Sequence, residues 1–360
     1  MSRFHPLRIA RIDRETRDAV AITFDVPPAL ADQFRYEPGQ HVTVRTRIGD
    51  DDVRRSYSVC SAVQDDALRI AVKRCAGGAF STYANERLQP GDTLEVTPPM
   101  GHFCPPRDPS AARHYVAFAA GSGITPILSI ARTVLATEPG SQFTLFYGNR
   151  ASGTVMFREE LAALKDTCLT RFNLVHVLSR ETQDIDLLHG RIDGERAAAL
   201  LDHWAPLDDV DVVFLCGPDA MMRSIQQVLA ARGYPASQVR VERFASSIPR
   251  HAHRPAVVAP GSATETEVTV ILDGATRTFT LDRTKESILE GGLRHGVELP
   301  YSCKGGVCST CRCRLVEGEA DMDVNFALED YEVARGFILA CQSYPATDRV
   351  TVNFDDTGTG

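Results

Sequence analysis

Four cysteines near the carboxyl end of the chain stand at a spacing typical of metal ligands. Cys303, Cys308 and Cys311 belong to the run CKGGVCSTC, and Cys341 follows after 29 intervening residues. This C-x4-C-x2-C…C pattern is the one that holds [2Fe–2S] clusters, because a tight loop can supply three of the four thiolates. Zinc ligands, the alternative, usually form two separate close pairs. The spacing therefore predicts a cluster, and Cys313, outside the pattern, is expected in the core or beside the cluster rather than as a ligand.

A glycine-rich turn, AGSGITP, places Gly121 and Gly123 between a predicted strand and a predicted helix. Glycines there let a dinucleotide pyrophosphate approach the backbone at a helix N-terminus, although the third glycine of the usual fingerprint is missing. The next strand ends in YGNR, where Arg150 suits the 2′-phosphate of NADPH and an ordinary surface charge is the alternative. Cys216 and Gly217 end a later strand, where open α/β sheets bind ligands. Together these features predict a nucleotide site.

A third set of residues lies nearer the amino terminus. The run RRSYS includes Arg55, Tyr57 and Ser58, and the glycine- and serine-rich run GGAFST follows it. An exposed arginine and tyrosine on a strand are usually ordinary surface residues. Together with a second loop of this composition, however, they could bind a phosphate and stack on a planar ring.

The elements that must position these residues change in type along the chain. The first 107 residues predict an antiparallel barrel, because short apolar strands are separated by Gly and Pro turns; these strands cover 8–13, 19–26, 41–47, 56–60 and 68–74. Strands then alternate with helices, which predicts a parallel sheet covered by helices. The strands cover 115–120, 143–147, 174–178 and 210–216, and the helices 127–136, 157–164 and 221–232.

The stretch 245–267 is rich in proline and lacks sustained periodicity, so it predicts a linker. Beyond it, 268–272 and 277–281 predict a hairpin around an Asp-Gly turn, 287–295 a helix, and 313–316 a strand. The predicted organisation is therefore a barrel domain at 1–108, an α/β domain at 111–244, the linker, and a cysteine-containing domain at 268–360.

Composition limits the class of protein. With 43% hydrophobic and 24% charged residues, 360 residues suit two or three ordinary globular domains. The chain has no apolar run of membrane-spanning length and no recognisable signal peptide, so we expect a cytoplasmic protein with reduced cysteines. The net charge of −8 lies entirely on residues 262–360, with 17 acidic and 9 basic residues. An acidic domain disfavours nucleic acid and membrane as partners and could dock on a basic protein surface, although it could also be merely well solvated.

Taken together, the three motif sets resemble the ferredoxin–NADP reductase superfamily, with a C-terminal plant-type ferredoxin domain of α+β (β-grasp) fold. Within it, the chain is similar to the reductase subunits of phenylacetyl-CoA epoxidase complexes. The resemblance extends over nearly the whole chain outside the linker, and the stretches that carry it include YEPGQH, QFTLFYGNR, DLLHGRIDGE, CGPDAMM and VERF, besides the glycine turn and the cysteine loop.

The resemblance implies roles for individual residues. Arg55 would bind the flavin phosphate, Tyr57 would stack on the isoalloxazine ring and Ser58 would bond near its N5, while Cys216 would lie beside the nicotinamide and Phe244 near the flavin. Glu242 could act there or be a structural carboxylate. The remaining FAD and NADPH contacts that the resemblance implies are Ser56, Val72, Lys73, Gly78, Ser81, Thr82, Gly121, Gly123, Thr125, Pro126, Arg150 and Gly217, and the cluster ligands are the four cysteines above.

The function so implied is electron transfer from NADPH through FAD and the [2Fe–2S] cluster to the di-iron oxygenase of a phenylacetyl-CoA epoxidase. FMN in place of FAD stays open, although the GGAFST loop favours FAD. The oxygenase site itself is not in this chain, because no Glu-x-x-His motif occurs. Two alternatives remain: a reductase for another oxygenase, of Rieske or di-iron type, and a non-catalytic electron carrier, which would need no nucleotide site.

Overall fold

The computed structural model describes residues 4–106, 108–244 and 264–356. The described residues form two compact units, one that contains 5–53 and 57–244 and another that contains 264–356. Of the predicted linker, 245–267, residues 245–263 lie outside the described residues.

The amino-terminal domain is an antiparallel sheet of six strands. Its elements are β1 (His5–Thr16), β2 (Ala19–Asp25), β3 (His41–Ile48), β4 (Asp51–Ser58), β5 (Leu68–Lys73), α1 (Ala79–Glu86) and β6 (Thr93–Val96), and the strand order is β4-β3-β6-β1-β2-β5. A bridge between Val59 and Ile70 joins the segment after β4 to β5, so the two edge strands meet and the sheet closes into a barrel. Alternate aliphatic residues of the strands fill its core.

The next domain alternates strands and helices around a parallel sheet. Its elements are β7 (His114–Ala120), α2 (Ile124–Thr137), β8 (Gln142–Asn149), α3 (Arg158–Thr167), β9 (Phe172–Leu178), α4 (Gly194–Trp204), β10 (Val212–Cys216), α5 (Asp219–Ala231) and β11 (Val239–Glu242). The strands are parallel, in the order β11-β10-β7-β8-β9. From β7 the chain adds β8 and β9 on one side, and it then adds β10 and β11 on the other side, so the order of connection reverses between β7 and β10. Ligands of open α/β sheets bind at such a reversal, at the carboxyl ends of the strands.

The carboxyl-terminal domain combines a mixed sheet with short helices. Its elements are β12 (Glu265–Leu272), β13 (Ala275–Asp282), α6 (Ile288–Arg294), β14 (Arg312–Glu317), β15 (Ala320–Met322), α7 (Asp330–Ala334), β16 (Phe337–Leu339), β17 (Ser343–Pro345) and β18 (Arg349–Asn353). The five-stranded sheet has the order β13-β12-β18-β14-β16. Gly291 and Gly292 let α6 pack closely, because a Cβ there would come within 3 Å of Leu281 and Leu299 respectively.

The structure confirms the predicted fold class: an antiparallel barrel, a parallel α/β domain and an α+β domain. It also extends the sequence interpretation. The run after Gly78, predicted as a loop, forms helix α1, and β12 begins at Glu265, three residues before the predicted domain start. Strands β6 and β11 and helix α4 are further elements that the periodicity did not reveal. Among the described residues no helix has the length and apolar character needed to cross a membrane.

Candidate functional site

A hydrogen bond joins the barrel to the α/β domain at the carboxyl ends of the parallel strands. Ser58, the buried last residue of β4, donates its hydroxyl to Oε2 of Glu242 at 2.8 Å. Glu242 ends β11, and the parallel register pairs it with Cys216, the last residue of β10. A hydroxyl, a carboxyl group and a thiol from three strands therefore converge at the reversal point of the sheet.

Burial sets the protonation of this group. Burial raises the pKa of Glu242 to about 8, and the hydrogen bond from Ser58 offsets only part of that effect. The pKa of the Cys216 thiol is raised well above its ordinary value by burial and then by the neighbouring Glu242. At neutral pH the carboxyl group and the thiol are therefore mainly protonated and uncharged.

The glycine turn after β7 packs directly against the end of β10. Gly121 has a left-handed φ of 56°, and a Cβ on Gly123 would lie 2.1 Å from the carbonyl oxygen of Cys216. A Cβ on Gly217 would lie 2.6 Å from the Met221 side chain. Because these positions exclude side chains, the glycine turn packs closely on the end of β10, at the edge of the sheet where open α/β sheets bind their ligands.

Thr125 and Pro126 lie in the first turn of α2, and both are buried. Thr125 donates its hydroxyl to the Ser122 carbonyl oxygen at 3.0 Å. The buried Tyr147 hydroxyl donates to the carbonyl oxygen of Gly121 at 3.0 Å. These two hydroxyl groups hold the shape of the glycine turn.

The exposed Arg150 follows β8 and has a second arginine beside it. The backbone N–H of Arg180 donates to the carbonyl oxygen of Arg150 at 2.7 Å, so the residues after β8 and β9 run side by side. Arg180 is also exposed. Sequence reasoning missed Arg180, since only the pairing of the two strands shows its position.

On the barrel, an open cavity of about 670 Å³ is lined at the start of α1 by Gly77, Gly78, Ala79, Thr82 and Tyr83, with Ile48, Glu86 and Arg87 completing it. Gly78 precedes α1, and a Cβ there would lie 2.4 Å from the Ser81 hydroxyl oxygen. Ser81 accepts from the N–H of Cys75 at 3.1 Å and contacts the Gly78 carbonyl oxygen at 3.2 Å. The structure thus places Gly78 and Thr82 at the cavity, whereas Ser81 shapes the loop.

The other flavin-side candidates are spread over the barrel. Tyr57 is partly buried, with its ring centre 5.5 Å from that of Phe80 in α1. Arg55 is exposed on β4, and its guanidinium donates to the carbonyl oxygen of Arg54 at 2.7 Å. The last candidates divide by burial: Ser56, Lys73 and Phe244 are partly buried, whereas the Val72 side chain lies wholly in the barrel core.

The four cysteines predicted as cluster ligands lie together in space. Cys308, Cys311 and Cys341 are buried and Cys303 is partly buried. The thiols approach in two pairs, Cys303 with Cys308 and Cys311 with Cys341. Within the described ranges, no group of three or more His, Cys, Asp or Glu side chains is placed to hold a metal ion. Two thiol pairs match a cluster of two irons, each of which takes two cysteine ligands.

The loop that holds these thiols has a tightly curled backbone. Lys304, Gly306 and Ser309 have left-handed φ angles of 51°, 74° and 51°, which curl the backbone around the sulfurs. The N–H of Gly305 donates to the Cys303 sulfur at 3.3 Å. Donors aimed at sulfur stabilise thiolates and a reduced cluster.

Cys313 has a different environment from the four thiols. It lies in β14 with a fully buried side chain, and burial raises its pKa. It belongs to the hydrophobic core, as the sequence interpretation expected for a cysteine outside the ligand pattern.

Three family models match the chain in consecutive blocks. Residues 6–104 match the oxidoreductase FAD-binding domain, 118–227 the oxidoreductase NAD-binding domain and 270–346 the 2Fe-2S iron-sulfur cluster binding domain. The cofactor classes predicted from the sequence are therefore confirmed at the level of these domains.

Whole-length relatives are also found. The chain is 46% identical over 360 residues to a 1,2-phenylacetyl-CoA epoxidase subunit of Escherichia coli, covering 99% of both chains. It is 35% identical to the ferredoxin reductase component of 3-ketosteroid-9-alpha-monooxygenase of Rhodococcus rhodochrous, covering 97% of this chain and 96% of the other. Among solved structures it is similar to phthalate dioxygenase reductase, with a TM-score of 0.59 and 27% identity over 98% of each chain.

Proposed function

The chain belongs to the family of oxygenase reductase components that includes the epoxidase subunit of E. coli, and from this premise we propose that it supplies electrons to a phenylacetyl-CoA-epoxidising, di-iron oxygenase. One observation carries the proposal: the 46% identity to that subunit runs over 99% of the chain and includes all three cofactor domains. A non-catalytic carrier would need neither the glycine turn at β7 nor the barrel cavity.

When bound, NADPH and FAD supply hydride transfer, and the cluster supplies one-electron transfer to the oxygenase. The residues of the chain position these groups. Ser58 comes from the barrel, and Glu242 and Cys216 come from the α/β domain, so their contact marks where flavin and nicotinamide would meet. The neutral Glu242 carboxyl group adds no negative charge to oppose an incoming hydride.

We assign NADPH rather than NADH as the electron donor. Arg150 and Arg180, joined by a backbone hydrogen bond, place two cations at the adjacent ends of β8 and β9. A guanidinium forms bidentate hydrogen bonds with a phosphate, and the 2′-phosphate is the group that distinguishes the two nucleotides. An acidic side chain there would instead favour the free ribose hydroxyl of NADH.

The carboxyl-terminal domain offers a surface for the oxygenase. Between residues 315 and 334 it carries six exposed acidic residues and no lysine or arginine; the seventh acidic residue there, Glu332, is buried and pairs with Arg312. The same stretch exposes Val316, Phe326, Tyr331 and Val333, and the N–H of Phe326 donates to the carbonyl oxygen of Gly306 in the cysteine loop at 3.0 Å. We propose that the oxygenase docks here through an apolar patch rimmed by basic residues, close to the cluster.

The proposed function is tested by reconstitution. The purified chain is mixed with NADPH and with the oxygenase components of a phenylacetyl-CoA epoxidase, and epoxide formation is measured. Product that depends on this chain supports both the electron path and the partner. Reduction of flavin and cluster without product would retain the reductase and favour another oxygenase, and failure to oxidise NADPH would favour the carrier.

The docking surface has its own variant and control. Tyr331→Ala combined with Asp330→Asn should lower epoxide formation at limiting reductase while NADPH reduces the flavin at the normal rate. The control is Glu265→Gln, which removes an exposed carboxylate at the start of β12 and should leave both rates unchanged. Equal product from the docking variant and the control would contradict this placement of the partner.

A further inference from the structure

A chain of four charges crosses the boundary between the barrel and the α/β domain. Arg69 of β5 forms a bidentate ion pair with Glu160 of α3, with both N–O distances at 2.7 Å. Arg132 of α2 forms a second bidentate pair with Asp65 of the barrel, at 2.7 and 2.8 Å, and lies 3.6 Å from Glu160. The charges alternate in sign along the series Asp65–Arg132–Glu160–Arg69. Each of the two inner groups, Arg132 and Glu160, therefore has an oppositely charged neighbour on either side.

Partial burial makes these pairs stronger than surface pairs. The Arg69 side chain is only 11% exposed, and the other three side chains are exposed by about a quarter to a third. The Arg69 guanidinium also lies 5.3 Å from the centre of the Phe157 ring. Ion pairs that are bidentate, networked and partly shielded from water retain an attraction that isolated surface pairs lose to solvent.

Further hydrogen bonds close the same boundary around the charges. The Ser129 hydroxyl of α2 donates to the carbonyl oxygen of Ser61 at 2.6 Å, and the N–H of Val63 donates to the Thr133 hydroxyl at 3.2 Å. Phe157 has a left-handed φ of 57°, and its N–H donates at 3.1 Å to the carboxylate of Glu15 on β1. The boundary is thus fixed by contacts from α2 and from the residue that precedes α3.

The elements of this boundary lead directly to the site described above. On the barrel side, the N–H of Cys60, two residues after Ser58, donates to the carbonyl oxygen of Arg69 at 2.8 Å. On the other side, α2 carries Arg132 and begins at the Gly123 turn that packs on the end of β10. A shift of α2 or β5 would therefore be transmitted to the residues that position flavin and nicotinamide.

We propose that the charge chain Asp65–Arg132–Glu160–Arg69 is a positioning device that fixes the α/β domain on the barrel in the arrangement needed for hydride transfer. None of the four residues touches the candidate cofactor sites, so they act through Ser58 and the Gly123 turn. The proposal rests on the proposed function only for the hydride step, because the fixing of the boundary can be measured without nucleotide. Hydride transfer is sensitive to such positioning, since displacements of about 1 Å can cost 10²-fold in rate.

The test uses the FAD-containing full chain with Glu160→Gln, which removes the shared charge but keeps the side-chain shape. Hydrogen–deuterium exchange follows the amides of Val63 and Phe157, which bond across the boundary, and should speed up at least tenfold. In stopped flow, the limiting rate of flavin reduction at saturating NADPH should fall at least tenfold, while the NADPH dissociation constant changes less than threefold. Asp65→Asn, at the more exposed end, should produce the same pattern to a smaller extent.

The matched control is Asp202→Asn, which breaks a bidentate pair with Arg232 at 2.6 and 2.9 Å inside the α/β domain. It should leave exchange at Val63 and Phe157 and the limiting rate unchanged. Normal exchange and a normal limiting rate in both Glu160→Gln and Asp65→Asn would overturn the proposal. If the wild type fails to reduce flavin with NADPH, the proposed function fails instead, and the exchange data alone then decide whether the charge chain fixes the boundary.

Discussion

Glu242 gives the account its most quantitative prediction, because its pKa couples the stability of the α/β domain to pH. This carboxyl group has a pKa of 4.5 in the unfolded chain and of about 8 in the folded protein. Folding is therefore disfavoured at any pH at which the Glu242 carboxyl group is ionised in the unfolded chain. The folded protein therefore loses stability as pH rises from about 4.5 to about 8, and the loss is complete above that range. At about 1.4 kcal/mol per pKa unit, the full loss is about 5 kcal/mol.

The Glu242→Gln variant removes this titration while keeping a hydrogen-bonding group for Ser58. Relative to wild type, the variant should gain about 1.4 kcal/mol of unfolding free energy per pH unit between pH 5 and 8, and nothing further above pH 8. In a domain assembly of this size, a gain of about 4 kcal/mol corresponds to a rise of roughly 10 °C in Tm at pH 8.

The assay follows unfolding of wild type and variant side by side through the fluorescence of Trp204, the chain's single tryptophan, which ends α4. The control is Asp202→Asn, because Asp202 is a surface carboxylate of the same domain whose pKa is lowered by Arg232. Stability curves of wild type and Glu242→Gln that run parallel from pH 5 to 8 would refute a raised pKa for this carboxyl group in the folded protein.

Three further variants test the separate sites. Cys308→Ser should abolish electron delivery to the oxygenase while flavin reduction by NADPH stays within about twofold, and Cys313→Ser, at a buried cysteine of the core, is its control; loss of flavin reduction as well would refute a modular chain. Arg150→Ala should raise the KM for NADPH about 10- to 100-fold, as expected for one charge-assisted phosphate contact, with little change for NADH; an equal effect on both nucleotides would remove Arg150 from the 2′-phosphate site. Gly123→Ala places a Cβ 2.1 Å from the Cys216 carbonyl oxygen, so the turn must shift and flavin reduction by NADPH should fall at least tenfold, whereas Gly153→Ala, where a Cβ meets no atom within 4 Å, should behave as wild type.

The sequence predicted best those features whose chemistry depends on neighbours in the chain. The cysteine loop and the glycine turn are short runs with a fixed spacing, and the alternation of strands and helices showed the parallel sheet. Helix α1 was predicted as a loop because two glycines precede Ala79. In the structure the residues from Ala79 onward form a helix that lines the barrel cavity. Local pattern cannot distinguish a helix that begins directly after a glycine turn from a continued loop.

The remaining features depend on contacts between distant residues. Ser58 and Glu242 are 184 positions apart, and only the pairing of β10 with β11 brings the carboxyl group to the hydroxyl. Arg180 meets Arg150 through the alignment of two strand ends, and Arg69 meets Glu160 across 91 positions. A single charged residue on a strand carries no sequence signal for such a partner, so the contact of Glu242 with Ser58 could not be predicted from the sequence.

In the proposed function, electrons from NADPH pass through the flavin to the cluster within this one chain. It is tested most directly by mixing the protein with NADPH without oxygen and recording flavin absorbance together with the electron paramagnetic resonance of the reduced cluster. We expect flavin absorbance to fall first, the cluster signal to follow at a slower rate, and Cys308→Ser to show the first phase alone. A cluster signal that precedes flavin reduction, or that forms in Cys308→Ser, would contradict it.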